Sequence, residues 1–241
     1  MEEKSSGRRE FFKTVGVGLA AASGVLAAES YGVARLLTEK EKLARIASNT
    51  WPVRSLFKSR SQRSSPETEA FRKKYGQITM LDFPQFTKDI FPGVGHMDLW
   101  SSLFGDVTDD SMYAKSTMTF GQTTRAAYEF DPSTASGKKW LDQLAGKIAT
   151  TGVKCHHVSN NAPRDICDLD AEKRKAGIAV AKHWLDGSAR LGAKTMRVNT
   201  GGPRIAPNAT ATQDYPKNDE IVKYLNYAIE SFKEMADYGG K

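Results

Sequence analysis

The chain has 241 residues, enough for one large domain or two small ones, and its 39% apolar and 26% charged residues suit a soluble globular protein. The net charge of +7 belongs to the start of the chain: residues 1–75 hold 15 Lys and Arg against 8 Asp and Glu, while residues 76–241 hold 20 of each. The globular part therefore lacks the basic surplus of a nucleic-acid-binding domain, and two cysteines, Cys155 and Cys167, are too few for a disulfide framework.

Gly7-Arg8-Arg9-Glu10-Phe11-Phe12-Lys13 sets two adjacent arginines ahead of a Gly/Ala-rich apolar run, Thr14 to Ala28. That run is too short for an ordinary spanning helix, which needs about 20 residues. A basic region, an apolar core and small residues, in that order, are the layout of a secretory signal; the alternative is a short amphipathic or buried helix. The arginine pair resembles the Tat export signal, with Gly7 where Ser or Thr is common and Phe12 where Leu is common. The resemblance implies export through the Tat machinery, to the periplasm or to a membrane tether through an uncleaved signal. Residues 29–75 read as a basic, Ser-rich connector, helical from Tyr31 to Ile46 and mobile from Ser59 to Glu69. Its charge reads as a solvated linker more than a lipid-binding run.

From Gln77 the texture becomes that of βα units. Ile78–Phe83 reads as a first strand, Phe86–Phe91 as a short helical piece and His96–Trp100 as a second strand. A loop rich in Asp, Ser and Thr runs to about Ser136, with a short extra strand at Thr117–Phe120. Gly137–Thr151 has Leu141, Leu144, Ile148 and Thr151 at helical spacing, and Gly152 ends it. Val153–Asn160 is the third strand. Asp170 caps a helix to Leu191 whose Ile178, Ala181, Leu185 and Ala189 face inward. Lys194–Gly202 is the fourth strand and its exit, followed by a Pro-rich loop and a last helix, Asn218–Tyr238. No GxGxxG follows the first strand and no GxxxxGK[ST] occurs, so a dinucleotide or P-loop reading has no support. The fold class is α/β, of the (β/α)8 TIM-barrel type. The chain holds its first four βα units, half a barrel over residues 76–241, and reads as the N-terminal part of a longer protein.

In α/β folds ligands bind at strand carboxyl ends. Here those ends carry His157, Ser159, Asn160 and Asn161 on the third strand, and Arg197 and Asn199 on one face of the fourth. His156 and His157 are adjacent on a strand and point to opposite faces; His157, with Ser159, is the one turned inward. It reads as a ligand contact or as a hydrogen-bonded structural residue, and Asn160 as a hydroxyl contact or a turn residue. Arg197 and Asn199 read as substrate contacts or as members of an internal polar network. Asp82 and Trp100 are further candidates to line the pocket. Gly201-Gly202-Pro203-Arg204 could cradle a phosphate with bare backbone amides.

The segment Gly152–Gly202, with Lys154-Cys155-His156-His157-Val158-Ser159-Asn160-Asn161, the turn Leu191-Gly192-Ala193-Lys194 and Arg197-Val198-Asn199-Thr200-Gly201-Gly202, resembles the sugar phosphate isomerase/epimerase family, the xylose isomerase-like TIM barrels. The likeness covers roughly residues 76–241. It implies an aldose–ketose isomerase or epimerase acting on a sugar or sugar phosphate, with proton transfer beside a carbonyl. It also implies one divalent ion (Mn, Mg, Co or Zn) held by two Glu, one Asp and one His on strands five to eight. None of those ligands can be placed on this chain, so no catalytic residue is assigned. The site residues expected here are substrate contacts: His157, Asn160, Arg197 and Asn199. A homo-oligomer is compatible with this reading. The alternatives are a zinc hydrolase like endonuclease IV and a non-catalytic exported sugar-binding barrel.

Overall fold

In the computed structural model the described residues are 36–60, 64–120, 123–202 and 218–240. The chain divides into two units, Met1–Glu39 and Lys40–Lys241, and the architecture described below lies in the second. The twin-arginine segment falls outside the described residues.

A four-stranded sheet organises the unit. Its strands are β1 (Ala47–Asn49), β2 (His96–Trp100), β5 (Lys154–Ser159) and β6 (Thr195–Met196), in that order and all parallel. Between β1 and β2 lie α2 (Pro66–Tyr75) and α3 (Phe83–Ile90); α4 (Ala135–Thr151) precedes β5, α5 (Ala171–Arg190) precedes β6, and α6 (Asn218–Gly239) follows. A short α1 (Glu39–Leu43) leads into β1. Parallel neighbours joined in sequence by helical crossovers make a singly wound α/β sheet, the arrangement of one arc of a (β/α)8 barrel.

The first strand is not the one the sequence suggests. Ile78 makes a single parallel bridge to Phe57, and the residues after it turn instead of extending. Asp82 takes hydrogen bonds from the backbone N–H and hydroxyl of Thr79, at 2.8 and 2.7 Å, which closes the turn that starts α3. Pro84 suits the first turn of a helix and no strand interior. The edge of the sheet comes from Ala47–Asn49, inside the stretch read as a connector. Part of the segment read as mobile is ordered too: Ser65 caps α2 by accepting from Thr68 N–H at 3.2 Å.

One face of the sheet is packed. Met97, Leu99, Cys155 and Val158 point from the strands into a core with Phe83, Leu141, Leu144, Ile148, Trp184 and Leu191. Ser48 joins that side, its hydroxyl 2.8 Å from that of Thr87 on α3. Helix α4 buries Leu141, Leu144 and Ile148 as its spacing predicts and ends on Gly152, whose φ of 75° a side chain would strain. On α5 the inward stripe is displaced: Gly177, Ala181, Trp184, Gly187 and Ser188 are buried, whereas Ala189 is exposed. Trp184 takes the central place because the loop between β2 and α4 brings aromatic rings to meet it. That loop is an antiparallel ribbon, β3 (Tyr113–Phe120) and β4 (Thr123–Phe130), longer than the short strand expected there. At its base Phe104, Phe130, Trp140 and Trp184 pack with ring centroids 5.2–5.9 Å apart. Arg60 fastens the base from outside. Its guanidinium lies over Tyr113 and Tyr128, donates to the carbonyl of Val107 and pairs with Asp110.

Candidate functional site

The second face of the sheet carries polar side chains in register. Asp98, midway along β2, accepts from Asn49 Nδ2 at 2.7 Å on β1 and from Ser159 Oγ at 2.8 Å on β5. Asn49 turns its other end to the backbone: its Oδ1 accepts from Trp51 N–H at 2.7 Å. One carboxylate therefore ties three strands together and fixes the residue that leaves β1. Toward the carboxyl end Trp51 meets Trp100 edge to face, with centroids 4.4 Å apart, and Arg54 lies 4.3 Å from the Trp51 ring. Toward the amino end His96 and His156 meet edge to face at 5.6 Å. Asp98 and Asn49 were missed in the sequence. The signal was there for Asp98, which alternates with Met97 and Leu99 on a strand whose other face is apolar.

The histidine pair departs from strict alternation. Cys155 and Val158 are both in the core although three residues apart, and the pairing of β2 with β5 slips between Met97 and Asp98. The extra residue in β5 leaves His156 exposed and His157 partly exposed, and neither enters the core. The expectation of opposite faces is therefore corrected. His157 Nδ1 lies 2.8 Å from Thr195 Oγ1 across the β5–β6 pair.

Beyond the strand ends a compact polar knot forms. Arg197 Nε donates to the carbonyl of Asn160 at 3.0 Å, and its terminal nitrogen bonds Asn161 Oδ1. Asn199 Nδ2 donates to the carbonyl of Asn161 at 3.0 Å. Asn161 is held in turn by Ser101 and Ser102, whose hydroxyl oxygens accept from its N–H at 3.1 Å and its Nδ2 at 2.7 Å. Ser101 and Ser102 follow β2, so exits from three strands converge on Asn161. Arg197 and Asn199 lie past β6, which ends at Met196, yet both reach the same loop. Of its two readings, hydroxyl contact or turn residue, Asn160 takes the second. It is fully buried, its Nδ2 bonds the carbonyl of Ala162, and its Oδ1 accepts from Ala162 N–H at 3.2 Å, so it orders the loop. Asn161, not Asn160, presents its carboxamide at the rim.

Other sequence candidates are placed as follows. Asp82 belongs to the turn before α3, not to a strand. Trp100 is half-buried against Trp51. Gly201 has φ of 79°, and a Cβ there would lie 1.8 Å from the carbonyl oxygen of Arg164, so this glycine allows two backbones to touch. Pro203 and Arg204, the rest of the suggested phosphate cradle, lie outside the described residues. Cys155 and Cys167 are both buried and unpaired with each other. Burial, aided by the charge of Asp98, pushes the Cys155 thiol up to about 12, which leaves it an inert core group. A hollow of about 450 Å³ between α3 and the end of α4, lined by Leu81, Phe86 and Lys147 among others, is formed by different residues.

Among the described residues no group of three or more His, Cys, Asp or Glu is placed to hold a metal ion. Both carboxylate oxygens of Asp98 are already engaged. The described residues offer no ligand set for the divalent ion that the sequence likeness implies, whose ligands that likeness puts on strands five to eight. No helix among the described residues is long and apolar enough to cross a membrane.

The sequence matches no family model and no curated protein. Among solved structures the chain is similar to a D-psicose 3-epimerase crystallised in the presence of D-fructose, with TM-score 0.43, 11% identity, and coverage of 70% of this chain and 47% of that one. It is similar to apo 3-keto-D-glucoside 4-epimerase from E. coli, with TM-score 0.33, 14% identity, and coverage of 42% and 38%. It is also similar to an Anabaena variabilis protein described as a sugar phosphate isomerase/epimerase, with TM-score 0.41, 14% identity, and coverage of 80% and 50%. The chain spans half or less of the length of each. Likenesses this distant carry no argument about activity, and the fold rests on the strand order given above.

Proposed function

We propose that this chain supplies the carbohydrate-binding rim of a sugar or sugar phosphate isomerase or epimerase of the xylose isomerase-like type. The observation that carries the reading is the convergence of Arg197, Asn199 and Asn161 at the carboxyl ends of parallel strands. The same stretch, Gly152–Gly202, bears the sequence likeness to that family. Carboxamides both donate and accept, which matches sugar hydroxyls, and a guanidinium suits a phosphate or a polarised oxygen. These residues bind and orient. The reaction class is proton transfer at the carbon beside a carbonyl, and the acid and base are not assigned to this chain. A divalent ion is part of the proposal for the whole enzyme; the described residues hold no ligand set for it, and no step is routed through it. Export by the twin-arginine segment belongs to the same reading. The even charge of residues 76–241 disfavours nucleic acid as the ligand.

The test is calorimetric titration with a panel of aldoses, ketoses and their phosphates, paired with Arg197→Ala and Asn199→Ala. Binding of at least one sugar, weakened about tenfold by either change, a loss of about 1.4 kcal/mol, is the expected result. If no member of the panel binds, or if both variants bind as the parent does, the reading is wrong. Exchange of solvent deuterium into the carbon beside the sugar carbonyl, with Mn²⁺ present, tests the chemistry separately.

A further inference from the structure

We propose that His96 and His156 form a two-histidine site for a late transition-metal ion, Cu²⁺, Ni²⁺ or Zn²⁺, at the amino end of the sheet. Their rings meet across the neighbouring strands β2 and β5, with centroids 5.6 Å apart and planes at 86°. An imidazole nitrogen binds Zn²⁺ at about 2.0–2.1 Å, which puts a ring centre roughly 3.2 Å from the ion and two rings at a tetrahedral angle roughly 5.2 Å apart. The observed spacing is only slightly wider, and χ2 of histidine is soft enough to turn one nitrogen of each ring toward a common point.

Two further observations single out this pair. The first is the slip in the ladder: Met97 pairs with Cys155 and Asp98 with His157, so His156 is the extra residue, without a partner of its own. A bulge re-aims a side chain, and this one aims His156 at His96. The second is that neither imidazole hydrogen-bonds another protein group, whereas Nδ1 of His157 is engaged by Thr195. The backbones beneath are fixed. Ser48 Oγ donates to the His96 carbonyl at 3.4 Å, and the N–H of Lys194 donates to the His156 carbonyl at 3.0 Å. Strands β2 and β5 are interior to the sheet, each paired on both sides, so the juxtaposition does not depend on what lies beyond β1 or β6.

Imidazole ligands favour Cu²⁺, Ni²⁺ and Zn²⁺ over Mg²⁺ and Ca²⁺, with Cu²⁺ held most tightly. Among the described residues no third His, Cys, Asp or Glu joins the pair, so water completes the coordination. Lys154, opposite His96 in register, adds a positive charge that works against the ion. Affinity is therefore micromolar, below that of a closed four-ligand site. His96 opens β2 and Trp100 closes it, so the pair lies about 13 Å along the strand from the rim, too far for its ion to touch a ligand held there. The ion clamps β2 to β5 beside the slip, where the ladder is interrupted. The inference stands apart from sugar binding and from the ion that the sequence likeness puts on later strands.

The experiment is calorimetric titration of the whole chain, stripped with EDTA and dialysed, with the chlorides of Zn²⁺, Ni²⁺, Cu²⁺ and Mg²⁺. One Zn²⁺ per chain with micromolar Kd, tighter Cu²⁺ and no Mg²⁺ are expected. His96→Ala and His156→Ala should each weaken Zn²⁺ tenfold or more, and the double variant should be no worse than either, because a lone imidazole cannot chelate. His183→Ala, on the exposed side of α5, should bind as the parent does. Zn²⁺ at a hundred times Kd should raise the Tm of the parent by about 5–10 °C and leave that of the two pair variants unmoved. Circular dichroism checks each variant, and His96→Gln and His156→Gln replace any that unfolds. A Zn²⁺ Kd weaker than about 1 mM, the level of adventitious contact with a single histidine, overturns the proposal. Binding indifferent to His96→Ala overturns it too, as does binding lost equally in His183→Ala. Arg197→Ala should keep the parent's Zn²⁺ affinity, which separates this result from the outcome of the sugar titrations.

Discussion

Replacing Asp98 by alanine takes the acceptor from two donors at once, Asn49 Nδ2 at 2.7 Å and Ser159 Oγ at 2.8 Å. Net contributions of hydrogen bonds to a charged group run to about 1.5–3 kcal/mol when buried. This face is open to water, which reduces each to about 1 kcal/mol. Asp98→Ala should therefore cost about 2 kcal/mol, a fall in Tm of roughly 4–8 °C for a domain of this size. Asn49→Ala loses one of those bonds and also the 2.7 Å bond from Trp51 N–H, so it should add a red shift of tryptophan emission as Trp51 loosens. Urea and thermal unfolding of both variants and the double variant give a cycle, with an expected coupling of about 1 kcal/mol. An Asp98→Ala protein within about 0.5 kcal/mol of the parent, or an additive double variant, would refute the account of the ladder as a tie across three strands.

Trp140→Ala, at the centre of the aromatic cluster under the ribbon, should cost about 3–5 kcal/mol in urea unfolding, because Phe104 and Phe130 keep no partner on that side. Gly201→Ala places a methyl against the Arg164 carbonyl at a left-handed φ, so the loop must move; loss of more than about 1 kcal/mol and a disturbed Asn161 amide signal by NMR are expected. Neither thiol should react with Ellman's reagent in the folded protein at mildly alkaline pH, and both should react in denaturant, since burial raises both. The raised Cys155 value has a sign: above pH 9.0 the unfolded thiol ionises while the folded one stays neutral until about 12, so stability should fall as pH rises through that window and be insensitive to Cys155 below it. Cys155→Ala should reduce that alkaline loss.

The parts of the fold written in local patterns were readable. The apolar spacing of Leu141, Leu144 and Ile148, the capping Asp170 and the alternation of His96–Trp100 each appear as elements where the sequence puts them. What escaped depends on distant partners. Ile78–Phe83 has strand composition, but Asp82 reaches back to Thr79 and Pro84 starts a helix. Ala47–Asn49 has no strand signal of its own and is a strand because β2 lies beside it. The ribbon of two eight-residue strands shows little hydrophobic periodicity and is held at its base by aromatic packing. At the rim, the polar residue types at the strand ends marked the loop where Arg197, Asn199 and Asn161 meet. Which asparagine faces outward was decided by Ala162, which folds Asn160 inward. The extra residue in β5 likewise moved His156 and His157 out of step with any simple alternation.

The grip of Arg60 on Tyr113, Tyr128 and the Val107 carbonyl has a practical consequence for anyone trimming this protein. Starting expression at the apparent change of texture near residue 76 would delete both an outer strand and the cation that pins the aromatic ribbon. Such a truncation should precipitate or melt early. A start ahead of Ala47 keeps both anchors and is the natural place to cut.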